Sequence, residues 1–388
     1  MRNVFAVALF CSATSCGAGL DHHVRTDGDV ARPIAGVRPA PVRNGLDGES
    51  VAALDSFVTA QCASDAFSGA IAIAKEGTVV YERACGLASR AFNVPNRIDT
   101  KFNLGSMNKM FTAVAIAQLV EHGKLAYSEL LAKAWPDYPN RAIAERVTIE
   151  QLLSHTSGLG NYWTDEFSRT SKDRFRTIND FLPLFQDKPL EFEPGSRYLY
   201  SNSGFMVLGG VIAHVSGEDY FDYVSEHVYA PAGMVNTDAF EMDHDTRNLA
   251  IGYTREGEGG APHAKLKNNL YLHVVKGGPA GGGFSTVRDL LAFGSALLRG
   301  TLISPEQLAN LTTPRKWGFP EEDYGLGFGV RRFAGQRYFG HSGGFFGINS
   351  DLWVFPDSGL IIAAMANLDP PAADKIVDRA MQLFVHAP

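Results

Sequence analysis

The stretch Phe102-Asn103-Leu104-Gly105-Ser106-Met107-Asn108-Lys109-Met110 decides how this chain is read. It sets a Ser-x-x-Lys pair, Ser106 and Lys109, at the start of the segment with the clearest amphipathic helical pattern. Met110, Phe111, Val114, Ala117, Leu119 and Val120 recur at helical spacing, and Gly123 follows as a stop signal. Residues i and i+3 share a helix face, so the lysine amine stands one turn above the serine hydroxyl. A serine needs a base within hydrogen-bond reach, and a lysine withdrawn from water gives up its proton more readily. The competing reading is a capping serine followed by a solvated lysine. A chain of this length contains roughly one or two such spacings by accident. Only Ser106 satisfies the spacing here, so the pair needs support from the rest of the chain.

Composition narrows the field. The chain has 388 residues, 45% hydrophobic and 20% charged, enough for one large domain or two lobes. A net charge of −7 provides no basic footprint, so nucleic acid is not expected as a partner. Arg2 followed by Val4-Phe5-Ala6-Val7-Ala8-Leu9-Phe10 and small residues reads as an export signal over residues 1–20. Ala13-Thr14-Ser15-Cys16 loosely matches a lipoprotein cleavage site, making Cys16 a candidate lipid anchor on a periplasmic or secreted protein. Residues 21–49, rich in Pro, Gly, Asp and Arg, read as a disordered tether. Cys62 and Cys85 remain in the mature chain, either as a disulfide, which export permits, or as two buried thiols.

The remainder, 50–388, organises as one domain. Residues 50–62 have helical spacing, and 67–75 with 79–86 form a hairpin around Glu76-Gly77. The middle, about 148–311, reads as helices between Gly- and Pro-rich loops. Short strands return at 327–333, 336–341, 349–355 and 360–366, and a helix closes the chain at 372–385. Strands at both ends predict an α+β fold: one antiparallel sheet built from 50–105 and 320–388, with a helical lobe, 106–319, inserted.

Two further groups carry chemistry. Tyr200-Ser201-Asn202 offers a phenol for proton transfer and an amide for orientation. Its competitor, Tyr138-Pro139-Asn140, follows Trp135-Pro136 and reads as turn chemistry. Gly340-His341-Ser342-Gly343-Gly344 literally matches the Gly-x-Ser-x-Gly nucleophile elbow. An elbow requires a helix straight after the serine, whereas the following residues are strand-like and leave few acid and histidine partners. An edge strand lining a cleft fits better. No His-Glu-x-x-His, Walker loop or Cys/His cluster occurs, and Gly281-Gly282-Gly283 lacks a dinucleotide site's setting; no cofactor or metal is expected.

Taken in order, Ser106-x-x-Lys109, Tyr200-x-Asn202 and His341-Ser342-Gly343 resemble the three signature motifs of the penicillin-recognising serine hydrolases. The branch is that of class C β-lactamases, D-alanyl-D-alanine carboxypeptidases, D-aminopeptidases and family VIII-type esterases. Leu152-Leu153-Ser154-His155-Thr156-Ser157-Gly158-Leu159, Glu193-Pro194-Gly195, Pro231-Ala232-Gly233-Met234, Gly281-Gly282-Gly283-Phe284-Ser285-Thr286 and Tyr324-Gly325-Leu326-Gly327-Phe328 extend the likeness from about residue 50 to the C-terminus. The resemblance implies a β-lactamase/transpeptidase-like fold and an acyl-enzyme on Ser106, with Lys109 and Tyr200 sharing the proton transfers. It also implies an oxyanion hole from the N–H groups of Ser106 and Gly344, with Asn202, His341, Ser342 and Gly343 on the substrate. The expected substrates are small esters, β-lactams or peptidoglycan-type peptides. One departure matters: many β-lactamases carry Lys-Thr-Gly where this chain has His341-Ser342-Gly343. A histidine near its ordinary pKa of about 6.5 is a weak substitute for a fixed cation. Ester or D-peptide hydrolysis is therefore expected ahead of strict β-lactamase activity.

Overall fold

The computed structural model describes residues 46–255, 265–315 and 323–387. The chain divides into a unit Met1–Arg38 and a unit Pro39–Pro388, and all that follows concerns the second. The export signal, Cys16 and nearly all of the expected tether lie outside the described residues. The tether's end is corrected: helix α1 spans Gly48–Ala63, and Asp47 caps it by accepting the Ser50 N–H at 2.7 Å.

Seven strands form one antiparallel sheet. They are β1 (Gly69–Lys75), β2 (Thr78–Cys85), β3 (Asp323–Tyr324), β4 (Gly329–Phe333), β5 (Gln336–Phe345), β6 (Ile348–Phe355) and β7 (Leu360–Ala366), in the order β2-β1-β7-β6-β5-β4-β3. The two ends of the domain meet where β1 pairs with β7, from Gly69↔Ala366 to Lys75↔Leu360. The expected two-terminus sheet is therefore present. Every residue of β6 and β7 is buried, because helices cover both faces of the sheet.

On one face, α1 and the C-terminal helix α5 (Ala372–Phe384) pack Leu54, Val58, Ile376 and Val377 against Ile71, Ile73 and Ile362. On the other lies α4 (Val287–Leu298), which approaches closely because a Cβ on Gly294 would stand 3.1 Å from Ile361 and Val354 methyls. This corrects the expected lobe boundary: α4 falls inside 106–319 yet belongs against the sheet. Its core is continuous with that of α2 (Asn108–Glu121) and α3 (Asn202–Ser216), so a single apolar cluster runs from the sheet into the helical middle.

The helix after Ser106 also departs from expectation. It begins at Asn108, and Ser106 sits in a preceding 3-10 turn, Gly105–Met107. All residues from Asn108 to Leu119 are buried, so α2 is enclosed on every side except at its last two residues. Cys62 and Cys85 form a disulfide joining α1 to β2. Closing a loop of 23 residues in this way contributes about 3 kcal/mol through the unfolded chain.

Candidate active site

Glycines bring the Ser106 turn against the sheet. The register of β4 with β5 ends at Gly329↔Gly340, so the second half of β5 runs past its neighbour. There Gly343 meets the turn: a Cβ on it would lie 2.1 Å from the Leu104 carbonyl oxygen and 3.0 Å from Gly105 Cα. β5 is thus an interior strand whose last half alone behaves as the expected edge. Ser350, on β6, donates to the Leu104 carbonyl at 2.7 Å and fixes the turn from beneath.

The opposite wall is the strap 279–283. Gly282 N–H donates to the Gly105 carbonyl at 3.1 Å, and Leu104 N–H donates to the Gly283 carbonyl at 2.7 Å. Gly283 N–H in turn donates to Asn108 Oδ1 at 3.0 Å. Thr112, one turn further along α2, donates to the Pro279 carbonyl at 2.9 Å. The sequence shows this glycine run only as a motif, and its partner is a turn about 175 residues away.

Lys109 is fully buried. Its amine donates to Asn202 Oδ1 at 2.8 Å and to the Ala280 carbonyl, and lies 4.8 Å from the Tyr200 ring centre. Burial holds its pKa well below the usual lysine range. A neutral amine has two hydrogens and one lone pair. The two carbonyl acceptors take the hydrogens and leave the lone pair for a proton. Tyr200 lines the same cavity as Ser106, and burial raises the phenol's pKa well above the ordinary value. Both shifts favour the neutral amine and neutral phenol over the ion pair.

Asn202 is held at both ends, its Nδ2 donating to Asn161 Oδ1 at 3.3 Å. The preceding Ser201 caps α3 by accepting the Gly204 N–H, and donates to the Gly160 carbonyl at 2.7 Å. Its own N–H donates to His155 Nδ1 at 3.1 Å. The His155 ring stands 4.2 Å from the Tyr200 ring, amid Tyr198, Phe205 and Tyr324. Burial, with Lys109 and His341 nearby, holds its pKa well below the usual histidine range. Sequence reading missed His155 as a site residue. Its signal was present in Ser154-His155-Thr156, but nothing local points a histidine toward a tyrosine 45 positions on.

His341 takes a different place from the one expected. Its Nδ1 faces the Ser342 carbonyl, which can only accept, so Nδ1 carries the hydrogen. Nε2 then accepts from the Tyr324 hydroxyl at 3.1 Å. Burial above all pushes its pKa down to about 3. His341 is a neutral brace behind Tyr200, with ring centres 6.4 Å apart, and both ring nitrogens face protein partners. Ser342 is half-buried and Gly343 buried, while Gly344 is exposed at the cavity. The competitor Tyr138-Pro139-Asn140 is structural: Tyr138 is buried in the core, and Asn140 caps a short helix by accepting the Ile143 N–H.

A cavity of about 360 Å³ opens over Ser106. Ser106, Tyr200, Asn202 and Gly344 contribute its polar wall, and Tyr162, Trp163, Phe167, Leu272, Val274, Phe345 and Ile348 its apolar wall. Asn161, Tyr162, Trp163 and Phe167 come from one loop, and Leu272 and His273 from another. Val274 and the strap residues Ala280, Gly281 and Gly282 add to them.

A serine on a tight turn, sharing a cavity with a phenol and backed by a buried lysine and an asparagine, defines a serine hydrolase of the acyl-transfer kind. The chain belongs to the Beta-lactamase family, whose model matches residues 54–386. Esterase EstB of Burkholderia gladioli is 30% identical over 323 residues, 74% of this chain and 81% of that one. PbpX of Bacillus subtilis is 31% identical over 265 residues, 68% of this chain, and the match spans 62% of PbpX. A penicillin-binding protein from Bacillus halodurans has the same fold, with a TM-score of 0.76 at 33% identity, covering 84% of this chain and 98% of that one.

Proposed function

We propose that this protein is an exported hydrolase that cleaves esters and D-amino-acid peptides through an acyl-Ser106 intermediate. The observation that carries the reading is Ser106 sharing one cavity with Tyr200 and Asn202, with the buried Lys109 amine held on Asn202 Oδ1 directly behind it. Ser106 Oγ attacks the substrate carbonyl while its proton passes through the Tyr200 hydroxyl to neutral Lys109. The tetrahedral oxyanion is held by the N–H groups of Ser106 and Gly344, which line one cavity because Gly343 lets the Ser106 turn pack against β5. The proton returns to the leaving alcohol or amine, and water attacks the acyl-enzyme by the reverse route. Asn202 keeps Lys109 in place and presents its amide at the cavity.

Three points favour ester cleavage over strict β-lactamase action. His341 is neutral and braced, so it supplies no cation for a lactam carboxylate. The cavity wall is largely apolar. EstB, at 30% identity, is named an esterase. Export is supported by the Cys62–Cys85 disulfide, which persists in oxidising compartments.

The test is a matched panel of short-chain ester, D-Ala-D-Ala peptide and cephalosporin, run with wild type and Ser106→Ala. The reading expects ester or peptide turnover that the variant loses. Cephalosporin turnover far above both would favour the β-lactamase reading. Equal behaviour of wild type and Ser106→Ala would indicate a catalytically silent binding relative.

A further inference from the structure

The walls of the Ser106 cavity carry an unexpected chemical restriction. Among the described residues lining it there is no Asp, Glu, Lys or Arg. Its one histidine, His273, has Nδ1 at 3.0 Å from the Val274 carbonyl, and burial pushes its pKa down to about 4. A carboxylate or ammonium on the bound substrate would lose its water and gain no opposite charge, which is costly.

A second cavity, of about 690 Å³, adjoins the first and shares Trp163, Phe167, Leu272, Gly344 and Phe345 with it. Trp163 and Phe345 meet edge to face at 4.8 Å where the two join. The two charged residues of the outer cavity are already engaged. Lys172 donates to the carbonyls of Phe167, Ser168 and Thr170 at 2.7, 3.1 and 2.8 Å. Asp369 accepts the N–H groups of Gly347 and Arg255 at 2.7 and 2.8 Å. What remains for a ligand is an aromatic passage leading outward from Ser106.

We infer that the substrate is an uncharged acyl compound whose apolar chain runs from Ser106 past Trp163 into the outer cavity. The inference rests on the acyl-Ser106 reading and, of the esters and D-amino-acid peptides that reading covers, selects the esters. Trp163 is about half exposed, so it can give way to a chain without opening the core. An acyl chain of that length buries methylenes against Trp163, Phe345 and the outer wall, and each buried methylene improves binding by about fourfold at most.

The test uses p-nitrophenyl esters from acetate to octanoate, with the p-nitrophenyl monoester of suberic acid as a charged match to octanoate. In wild type, kcat/KM rises by about twofold or more per methylene, short of full burial. The suberate monoester falls to the acetate level or below. Trp163→Ala removes aromatic wall, and Ser168→Trp fills the outer cavity. Each lowers the octanoate-to-acetate ratio of kcat/KM by about tenfold or more, the equivalent of losing two or three buried methylenes. An unchanged ratio in both variants, or suberate turned over as well as octanoate, overturns the inference. Full ester turnover by Ser106→Ala would instead overturn the acyl-Ser106 reading on which it rests.

Discussion

The Tyr324 hydroxyl stands 3.1 Å from His341 Nε2 and donates to it, while the opposite ring nitrogen faces the Ser342 carbonyl. This arrangement fixes one neutral tautomer at the motif position where many β-lactamases carry a lysine. The pKa of His341 is pushed to about 3, below the roughly 6.5 of an unfolded histidine. Between those values the unfolded chain binds a proton that the folded one refuses, so stability falls as the pH is lowered from about 6.5 toward 3. Denaturant titrations at pH 7, 6 and 5 should show that decline. In His341→Asn the slope should flatten, by up to about 1.4 kcal/mol per pH unit. Identical slopes in variant and wild type would contradict the assignment.

Lys109 is expected to act as a neutral base. Lys109→Met keeps the chain length without the amine and should lower kcat by about 10²–10⁴ on an ester substrate. Asn202→Asp puts a carboxylate beside the amine, where Asn202 Oδ1 now lies at 2.8 Å. That negative charge favours the ammonium, so the acid limb of the kcat/KM profile should move to higher pH by about one unit or more. A limb that stays in place would remove Lys109 from the proton path.

Gly343 is required by the Ser106 turn. In Gly343→Ala the new Cβ would collide with the Leu104 carbonyl oxygen, 2.1 Å away, and push the nucleophile off the strand. A displacement on the order of 1 Å at a reacting group costs about 10²-fold in rate. Ester kinetics and melting temperature, measured together, should show a loss of kcat out of proportion to any loss of stability.

A prediction away from the site concerns Asp351, on β6. Its carboxyl is buried and raised well above the ordinary carboxylate range, first by burial and then by the hydrogen bond with Asp374. The folded chain keeps a proton there that the unfolded chain releases above about pH 4, so this residue costs stability as pH rises. Asp351→Asn supplies the same shape with a permanent donor and keeps an acceptor for Trp353 Nε1, which lies 3.2 Å from Asp351 Oδ1. Its stability relative to wild type should increase from pH 5 to pH 8 in urea titrations.

The sheet could be read from the sequence where strand and burial signals coincide. Leu360–Ala366 is a continuous apolar run bounded by Gly359 and Asn367, and the structure places β7 on those residues. The first two motifs meet at one place, where Ser106, Tyr200 and Asn202 line one cavity and Lys109 stands behind Asn202. What local reading could not supply is enclosure. α2 reads as one apolar face because its Thr112 and Gln118 are polar. Both are buried with tertiary partners, Thr112 against Tyr220 and Pro279, and Gln118 against carbonyls of His227 and Leu302. His341 was placed by motif and strand. Its direction was set by Tyr324, whose role as donor depends on a strand pairing invisible from either segment alone.

The central claim is that Ser106 is the acyl acceptor. Wild-type protein and Ser106→Ala should be incubated with a fluorophosphonate ester, weighed intact and then mapped by peptide. A single adduct is expected on the peptide carrying Ser106, absent from the variant. An adduct of equal yield on Ser342 or any other residue, persisting in Ser106→Ala, would contradict it.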